Sequence, residues 1–168
     1  KIETNGTPTI LVVDDEAGFR EVVKMTLGNQ GYQVHTAASG QEAVEHLKRI
    51  PFDIIFLDIY LPGMDGFQVM DEISSMNLNT YVILMTGYPS TDSAIEAIKR
   101  KAYYYLRKPV EIGEMVKIVE NALRQRKLEK EKSLADEELK KAYGLLKEEI
   151  QGRRQREIEL RKAKETAE

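Results

Sequence analysis

Five side chains able to do chemistry stand at or just beyond the ends of short apolar runs. Asp14 and Asp15 follow Thr9–Val13, Asp58 follows Phe52–Leu57, Thr86 follows Tyr81–Met85, and Lys108 comes shortly after Tyr103–Leu106. Three carboxylates brought to one place repel one another and raise each other's pKa unless a cation sits among them. A hard divalent ion with oxygen ligands answers that repulsion, and Mg²⁺ suits a site with few carboxylates, several waters and a substrate phosphate. Lys108 adds a positive charge and Thr86 a hydroxyl. Metal, ammonium and hydroxyl can share the charge of a phosphoryl group while one carboxylate acts as nucleophile.

For that chemistry the groups must meet, and the intervening pattern says how. Thr9–Val13 is continuously apolar and β-branched, as in a strand covered on both faces. Phe19, Val22, Val23 and Leu27 then fall close to helical spacing, and Gly31 can supply a left-handed stop. Tyr32–Ala37 reads as a second strand, and Ser39 with Glu42 as a capping box for a helix to about Arg49. The third run, Phe52–Leu57, leads into the turn-rich Leu61–Gly66 and a helix over about Phe67–Met76. Tyr81–Met85 and Tyr103–Leu106 give strands four and five, with a helix capped near Ser90 and running to about Lys101 between them. A last helix opens near Glu111. Strand alternating with helix five times implies a parallel sheet with helices on both faces. Such sheets bind ligands beyond the carboxyl ends of their strands, where all five groups lie.

Composition excludes several other readings. The 168 residues contain no cysteine, which removes disulfide frameworks, thiolate metal sites and thiol nucleophiles. No apolar run approaches the roughly 18–20 residues of a membrane span, and no signal-peptide core opens the chain, so a cytoplasmic location is expected. The formal net charge of −3 hides an asymmetry: residues 1–123 carry 11 basic against 17 acidic side chains, and residues 124–168 carry 14 against 11. Basic residues in the second part are interleaved with acids, the pattern of a solvated helix and not of a nucleic-acid-binding patch.

Residues 124–168 contain 25 charged side chains and no proline. Acids precede bases by four at Glu120/Arg124, Asp136/Lys140, Glu137/Lys141, Glu149/Arg153 and Glu157/Arg161, the favourable order on a helix. A helix from Glu111 to the end would be about 85 Å long at 1.5 Å per residue and would need a partner. Leu139, Tyr143, Leu146 and Ile150 offer a local coiled-coil seam that meets Arg153 and Glu157 before Leu160. A homodimer through this helix, with a parallel seam, is the expectation. The opening Lys1 and the charged final run lead us to expect a fragment of a longer chain, with an output domain beyond residue 168.

The four stretches Leu-Val-Val-Asp14-Asp15-Glu16, Phe-Leu-Asp58-Ile-Tyr-Leu-Pro62-Gly63-Met64-Asp65-Gly66, Met-Thr86-Gly87-Tyr88 and Tyr105-Leu-Arg-Lys108-Pro109, in that order, resemble the receiver domains of bacterial two-component response regulators. The resemblance covers about Pro8 to Leu123. It implies a flavodoxin-like, doubly wound sheet of five strands in the order 2-1-3-4-5, with a receiver over residues 8–123 and a helical, coiled-coil linker over 124–168. It further implies that Asp58 accepts a phosphoryl group from a sensor histidine kinase or phosphotransfer protein. Asp15 and Asp58 would bind Mg²⁺ directly with the backbone carbonyl of Tyr60, and Asp14 through a water. Lys108 would pair with the phosphoryl oxygens across a cis bond to Pro109, and Thr86 and Tyr105 would form a switch pair. Tyr60 and Tyr88 occupy positions that tune phosphate lifetime in the family, and Lys101 stands where the family commonly has glycine.

Two other classes share parts of this pattern. A haloacid-dehalogenase-like phosphohydrolase uses an aspartate nucleophile with Mg²⁺ but needs a second aspartate two residues later, where this chain has Tyr60. A flavodoxin-like electron carrier needs a phosphate-cradling loop after the first strand, where this chain has carboxylates. The signalling reading has no metabolite turnover, no membrane and no direct nucleic-acid contact. The stretches around Ala142–Glu149 and Ile158–Glu165 resemble signalling helices that precede histidine-kinase dimerisation helices, while the receiver segments also resemble transcriptional regulators working through a central ATPase.

Overall fold

The computed structural model describes residues 6–167. Its elements run β1 (Thr9–Val13), α1 (Ala17–Asn29), β2 (Gln33–Ala37), α2 (Gly40–Arg49), β3 (Ile54–Asp58), α3 (Gly66–Ser75), β4 (Tyr81–Thr86), α4 (Thr91–Lys99), β5 (Tyr104–Arg107) and α5 (Ile112–Thr166). The chain divides between Leu123 and Arg124 into two compact units.

In the first unit the strands form one parallel sheet in the order β2-β1-β3-β4-β5. Alternation along each strand explains why the runs are apolar throughout. Ile10, Val12, Ile54, Phe56, Ile83 and Met85 pack with α1 and with Met115, Ile118, Val119 and Ala122 of α5. Leu11, Val13, Ile55, Leu57, Val82 and Leu84 pack on the other face against α2, α3 and α4. A strand buried on both faces has no polar side to show, and its first polar residue marks the rim.

Local chemistry sets the helix starts. Ser39 caps α2 by accepting from the Glu42 N–H at 3.2 Å, while the Glu42 carboxylate reaches the Ala38 N–H at 2.8 Å instead of closing the box on Ser39. Asp65 and Gln68 close a full capping box on α3, and Ser90 and Ser93 do so on α4. Strands β2, β3 and β5 begin one or two residues later than the apolar runs, because Tyr32, Phe52 and Tyr103 pack at strand entrances without joining the ladder, whereas β4 begins at Tyr81 as expected. Helix α4 ends at Lys99 and α3 at Ser75, each short of the pattern. Val22, expected on the inner face of α1, is 43% exposed, since Val23 and Leu27 already fill that face. Lys101 adopts φ +60°, the left-handed conformation that glycine reaches most cheaply, so the turn survives with a lysine in it.

The second unit is the helical segment from Arg124 onward, with its described side chains exposed apart from the half-buried Arg126 and Gly152. Of the ion pairs expected there, Glu149–Arg153 closes at 2.9 Å.

Candidate functional site

The carboxyl ends of β1, β3, β4 and β5 bring the five groups together, as parallel strands in register must. Asp14 follows β1 directly and is fully buried, its N–H bonded to the Ala37 carbonyl at 3.1 Å. One carboxylate oxygen accepts from the Glu16 N–H at 2.9 Å, which leaves the other facing the pocket. Asp58 ends β3 and is also buried; its Oδ1 accepts from the Tyr60 N–H at 3.1 Å. Asp15 is exposed beside them. One oxygen from each of Asp14, Asp15 and Asp58 lies within 4.8 Å of the others, a spacing at which one ion can touch all three.

Lys108 closes the pocket from the far edge. Its N–H bonds the Thr86 carbonyl at 2.8 Å and its bond to Pro109 is cis, and Nζ bonds both Asp14 Oδ2 and Asp58 Oδ2, the latter at 2.7 Å. Burial pushes the Asp58 pKa up, and the Asp14 carboxylate adds to that push, against the pull of Lys108. For Lys108, burial alone would lower the pKa, but the bonds to Asp14 and Asp58 outweigh it and raise the value. The ammonium is thus held charged between two carboxylates.

Thr86, the last residue of β4, is fully buried and accepts the Tyr88 N–H on Oγ1 at 3.0 Å. Tyr105, in β5, is half-buried, and its hydroxyl bonds Ser93 Oγ of α4 at 2.7 Å. Tyr60 and Tyr88 extend from the two segments that bond Asp58 and Thr86, and their rings meet edge to face with centroids 5.9 Å apart. Gly66 allows the loop after β3 to close: a Cβ there would lie 2.5 Å from the Asp58 carbonyl oxygen.

Three contributors escaped the sequence reading. Phe19, assigned to the core face of α1, puts its ring 5.3 Å from Lys108 Nζ. Arg20 donates to the Asp14 carbonyl at 2.8 Å; its place in the first turn after the paired aspartates was the available signal. Ser93, beyond the Ser90 cap that the sequence reading names, bonds Tyr105, and nothing local connects the two.

The sequence of residues 10–120 matches the response regulator receiver domain model. The chain belongs to that family. As a receiver domain, it is 38% identical over 129 residues to the response regulator protein PilR of Pseudomonas aeruginosa, covering 77% of this chain and 29% of that protein. It is 36% identical to the regulatory protein AtoC of Escherichia coli, covering 73% and 26%. The chain therefore spans about a quarter of the length of these curated relatives. Among solved structures, a CheY-like receiver domain from Methanospirillum hungatei superimposes with a TM-score of 0.72 at 26% identity, covering 74% of this chain and 99% of that one. A receiver domain from Clostridium thermocellum does so with a TM-score of 0.67 at 32% identity, covering 72% and 98%. Receiver domains are phosphoacceptor signalling modules that receive phosphoryl groups from histidine kinases and bind Mg²⁺ at an acidic pocket, and the three clustered carboxylates of this chain suit such an ion. The hydrolase and flavoprotein readings are not favoured.

Proposed function

We propose that residues 8–123 accept a phosphoryl group on Asp58 from a sensor histidine kinase or phosphotransfer protein and that residues 124–168 carry the resulting change to a helical output. The observation behind this reading is the convergence of three carboxylate oxygens within 4.8 Å beside the ammonium of Lys108. A carboxylate oxygen of Asp58 attacks phosphorus, and the P–N bond to the donor histidine breaks with its electron pair returning to the imidazole. Asp15, Asp58 and the Tyr60 carbonyl would hold Mg²⁺, with Asp14 acting through a water; the ion supplies charge neutralisation for the transferred oxygens. Lys108 gives up its bond to Asp58 Oδ2 and turns to a phosphoryl oxygen, keeping Asp14 as its counter-ion. No metabolite is turned over.

Transfer takes the charge at Asp58 from −1 toward roughly −2 and adds acceptor oxygens. Thr86 then has reason to direct its hydroxyl at the phosphoryl group. That movement vacates space beside β5, and Tyr105 gains an inward position at the cost of its bond to Ser93. We assign this work to the cytoplasm, where histidine kinases deliver phosphoryl groups, and the helix to a homodimer contact. No described helix is long and apolar enough to cross a membrane. Of the two outputs open to the sequence, transcriptional control is favoured by the likeness to a further relative, the transcriptional regulatory protein ZraR of Escherichia coli, 35% identical over 120 residues.

Incubation with acetyl phosphate and Mg²⁺, followed by intact-mass and peptide mapping, tests the assignment. One phosphoryl group confined to Asp58, lost in Asp58→Asn and absent without divalent metal, is expected. Equal labelling of Asp58→Asn overturns it, and steady release of phosphate from added monoesters points to a hydrolase. In the same samples, a Tyr60→Ala, Tyr88→Ala double variant is expected to lose its label faster, because the paired rings hinder an attacking water.

A further inference from the structure

Helix α1 buries its apolar stripe unevenly. Val23 and Leu27 are 1% exposed, whereas Phe19, one turn nearer the rim, is half-buried. At that height the stripe leaves the core and reaches the acidic pocket: the ammonium of Lys108 lies over the Phe19 ring, with Nζ 5.3 Å from its centroid. The face of an aromatic ring is negative and attracts a cation at this range, and it does so without a formal charge. The first turn of α1 is fastened to the pocket, so the ring has a set place. Glu16, which precedes α1, makes no side-chain cap; its N–H bonds Asp14 Oδ1 at 2.9 Å. Arg20 ties back twice, through its N–H to the Glu16 carbonyl at 3.2 Å and through Nη1 to the Asp14 carbonyl at 2.8 Å. Phe19 sits between these ties.

The ammonium has three N–H groups, and two of them go to Asp14 Oδ2 and Asp58 Oδ2. Phosphoryl transfer disturbs the second of these bonds. Asp58 ceases to be a free carboxylate, a divalent ion enters beside it, and Nζ leaves Asp58 Oδ2 for a phosphoryl oxygen. During that passage the ammonium is one bond short and is repelled by the ion. A further carboxylate beside it would hold it back from the phosphoryl group and add to the repulsion among the acids. An alkyl side chain would offer its charge nothing. The attraction of a ring face is broad in direction, so it persists while one hydrogen bond is exchanged for another, and it counts for more once a carboxylate no longer competes for the same charge. An interaction that is stronger in the passage than at rest speeds the transfer.

We infer that Phe19 is a positioning residue for phosphoryl transfer: its ring face steadies the Lys108 ammonium while that group passes from Asp58 to the phosphoryl oxygens. This rests on the phosphoacceptor reading of Asp58 above and adds to it a group from α1 that touches neither the phosphoryl donor nor the metal.

The test replaces the Phe19 side chain in the full chain by phenylalanines with one, two and three ring fluorines, each of which drains negative potential from the ring face and changes its bulk little. With acetyl phosphate and saturating Mg²⁺, the rate of Asp58 labelling is expected to fall stepwise, by about threefold across the series, and by a similar factor in Phe19→Leu. A second measurement needs neither metal nor phosphoryl donor. The same series is unfolded in denaturant, once with Lys108 in place and once in a Lys108→Met background. Each added fluorine should lower the midpoint relative to its Lys108→Met counterpart, because only the parent has a cation over the ring. A ring that merely fills space gives the same dependence on fluorine in both backgrounds. That result overturns the inference, as does a labelling rate that stays constant across the series while the parent is labelled normally; in both cases the phosphoacceptor reading stands. No labelling of the parent at Asp58 defeats that reading itself, and this inference with it.

Discussion

The rim of the sheet and the helix beyond Leu123 are both rich in charge, and they use it in opposite ways. At the rim, Asp14 and Asp58 are buried, and each is fixed by backbone N–H groups and by one shared ammonium. In the helix nearly all charged side chains of the described residues stand in water, with a few in-helix pairs such as Glu149–Arg153. Charge in water is inexpensive and screened, so it reports solubility and partner choice. Charge removed from water costs several kcal/mol per ion unless it is paired, and it persists where something else needs it. Three carboxylates at 4.8 Å are therefore evidence of chemistry, while denser acids along the helix are not.

The contrast breaks most sharply at Lys108. Replacing it with methionine leaves Asp14 and Asp58 buried without their ammonium, and removal of one partner of a buried pair costs about 3 kcal/mol. Denaturant unfolding without metal should show that loss, partly reversed by added Mg²⁺. A Lys108→Met protein as stable as the parent would show that the pocket tolerates its carboxylates unaided, and the argument from burial would fail.

A smaller effect is expected where the first unit buries a titratable group that the site does not use. His35, in β2, packs edge-on against Phe52 and His46, and its Nε2 is buried with no hydrogen-bond partner among the described residues. Burial lowers its pKa, and the nearby His46 and Lys24 lower it further; Glu42 reaches His46 at 3.9 Å. A histidine whose folded pKa lies below its unfolded value binds fewer protons when folded. Parent stability should therefore fall as pH drops through about 6.5, the unfolded value, and level off below the folded one. His35→Phe is expected to gain about 1 kcal/mol by removing the unpaired atom and to lose that part of the slope. Parallel pH profiles for parent and variant would place His35 in water.

How much of this was legible depended on whether a residue's job is local. The strand ends were readable because a strand buried on both faces leaves its first polar residue at the rim, so Asp14, Asp58 and Thr86 announced themselves. The helix starts at Ser39 and Ser90 were readable because capping involves neighbours three residues apart. Ser93 bonding Tyr105, or Phe19 lying against Lys108, joins elements through the folded sheet, and no spacing along the chain encodes such a meeting. The exposure of Val22 has the same origin, since the width of the buried stripe on α1 is set by what packs against it. The helix beyond Leu123 shows the converse: its conformation was plain from composition, while Leu139, Tyr143, Leu146 and Ile150 stay exposed along it.

The smallest predicted effect bears on that helix. Glu149→Gln removes the carboxylate that bonds Arg153 at 2.9 Å, a contact as short as many at the rim. Its side chains are 56% and 74% exposed, however, so water already solvates both ions and little desolvation was ever spent. Exposed i,i+4 pairs contribute about 0.3–0.5 kcal/mol, and added salt removes most of that. Helicity of the full chain by circular dichroism should change by no more than a few percent at low salt and not measurably at 1 M salt. A large loss would mean that Glu149 is shielded from water by a partner, and the line drawn here between inexpensive and costly charge would then run through the helix itself.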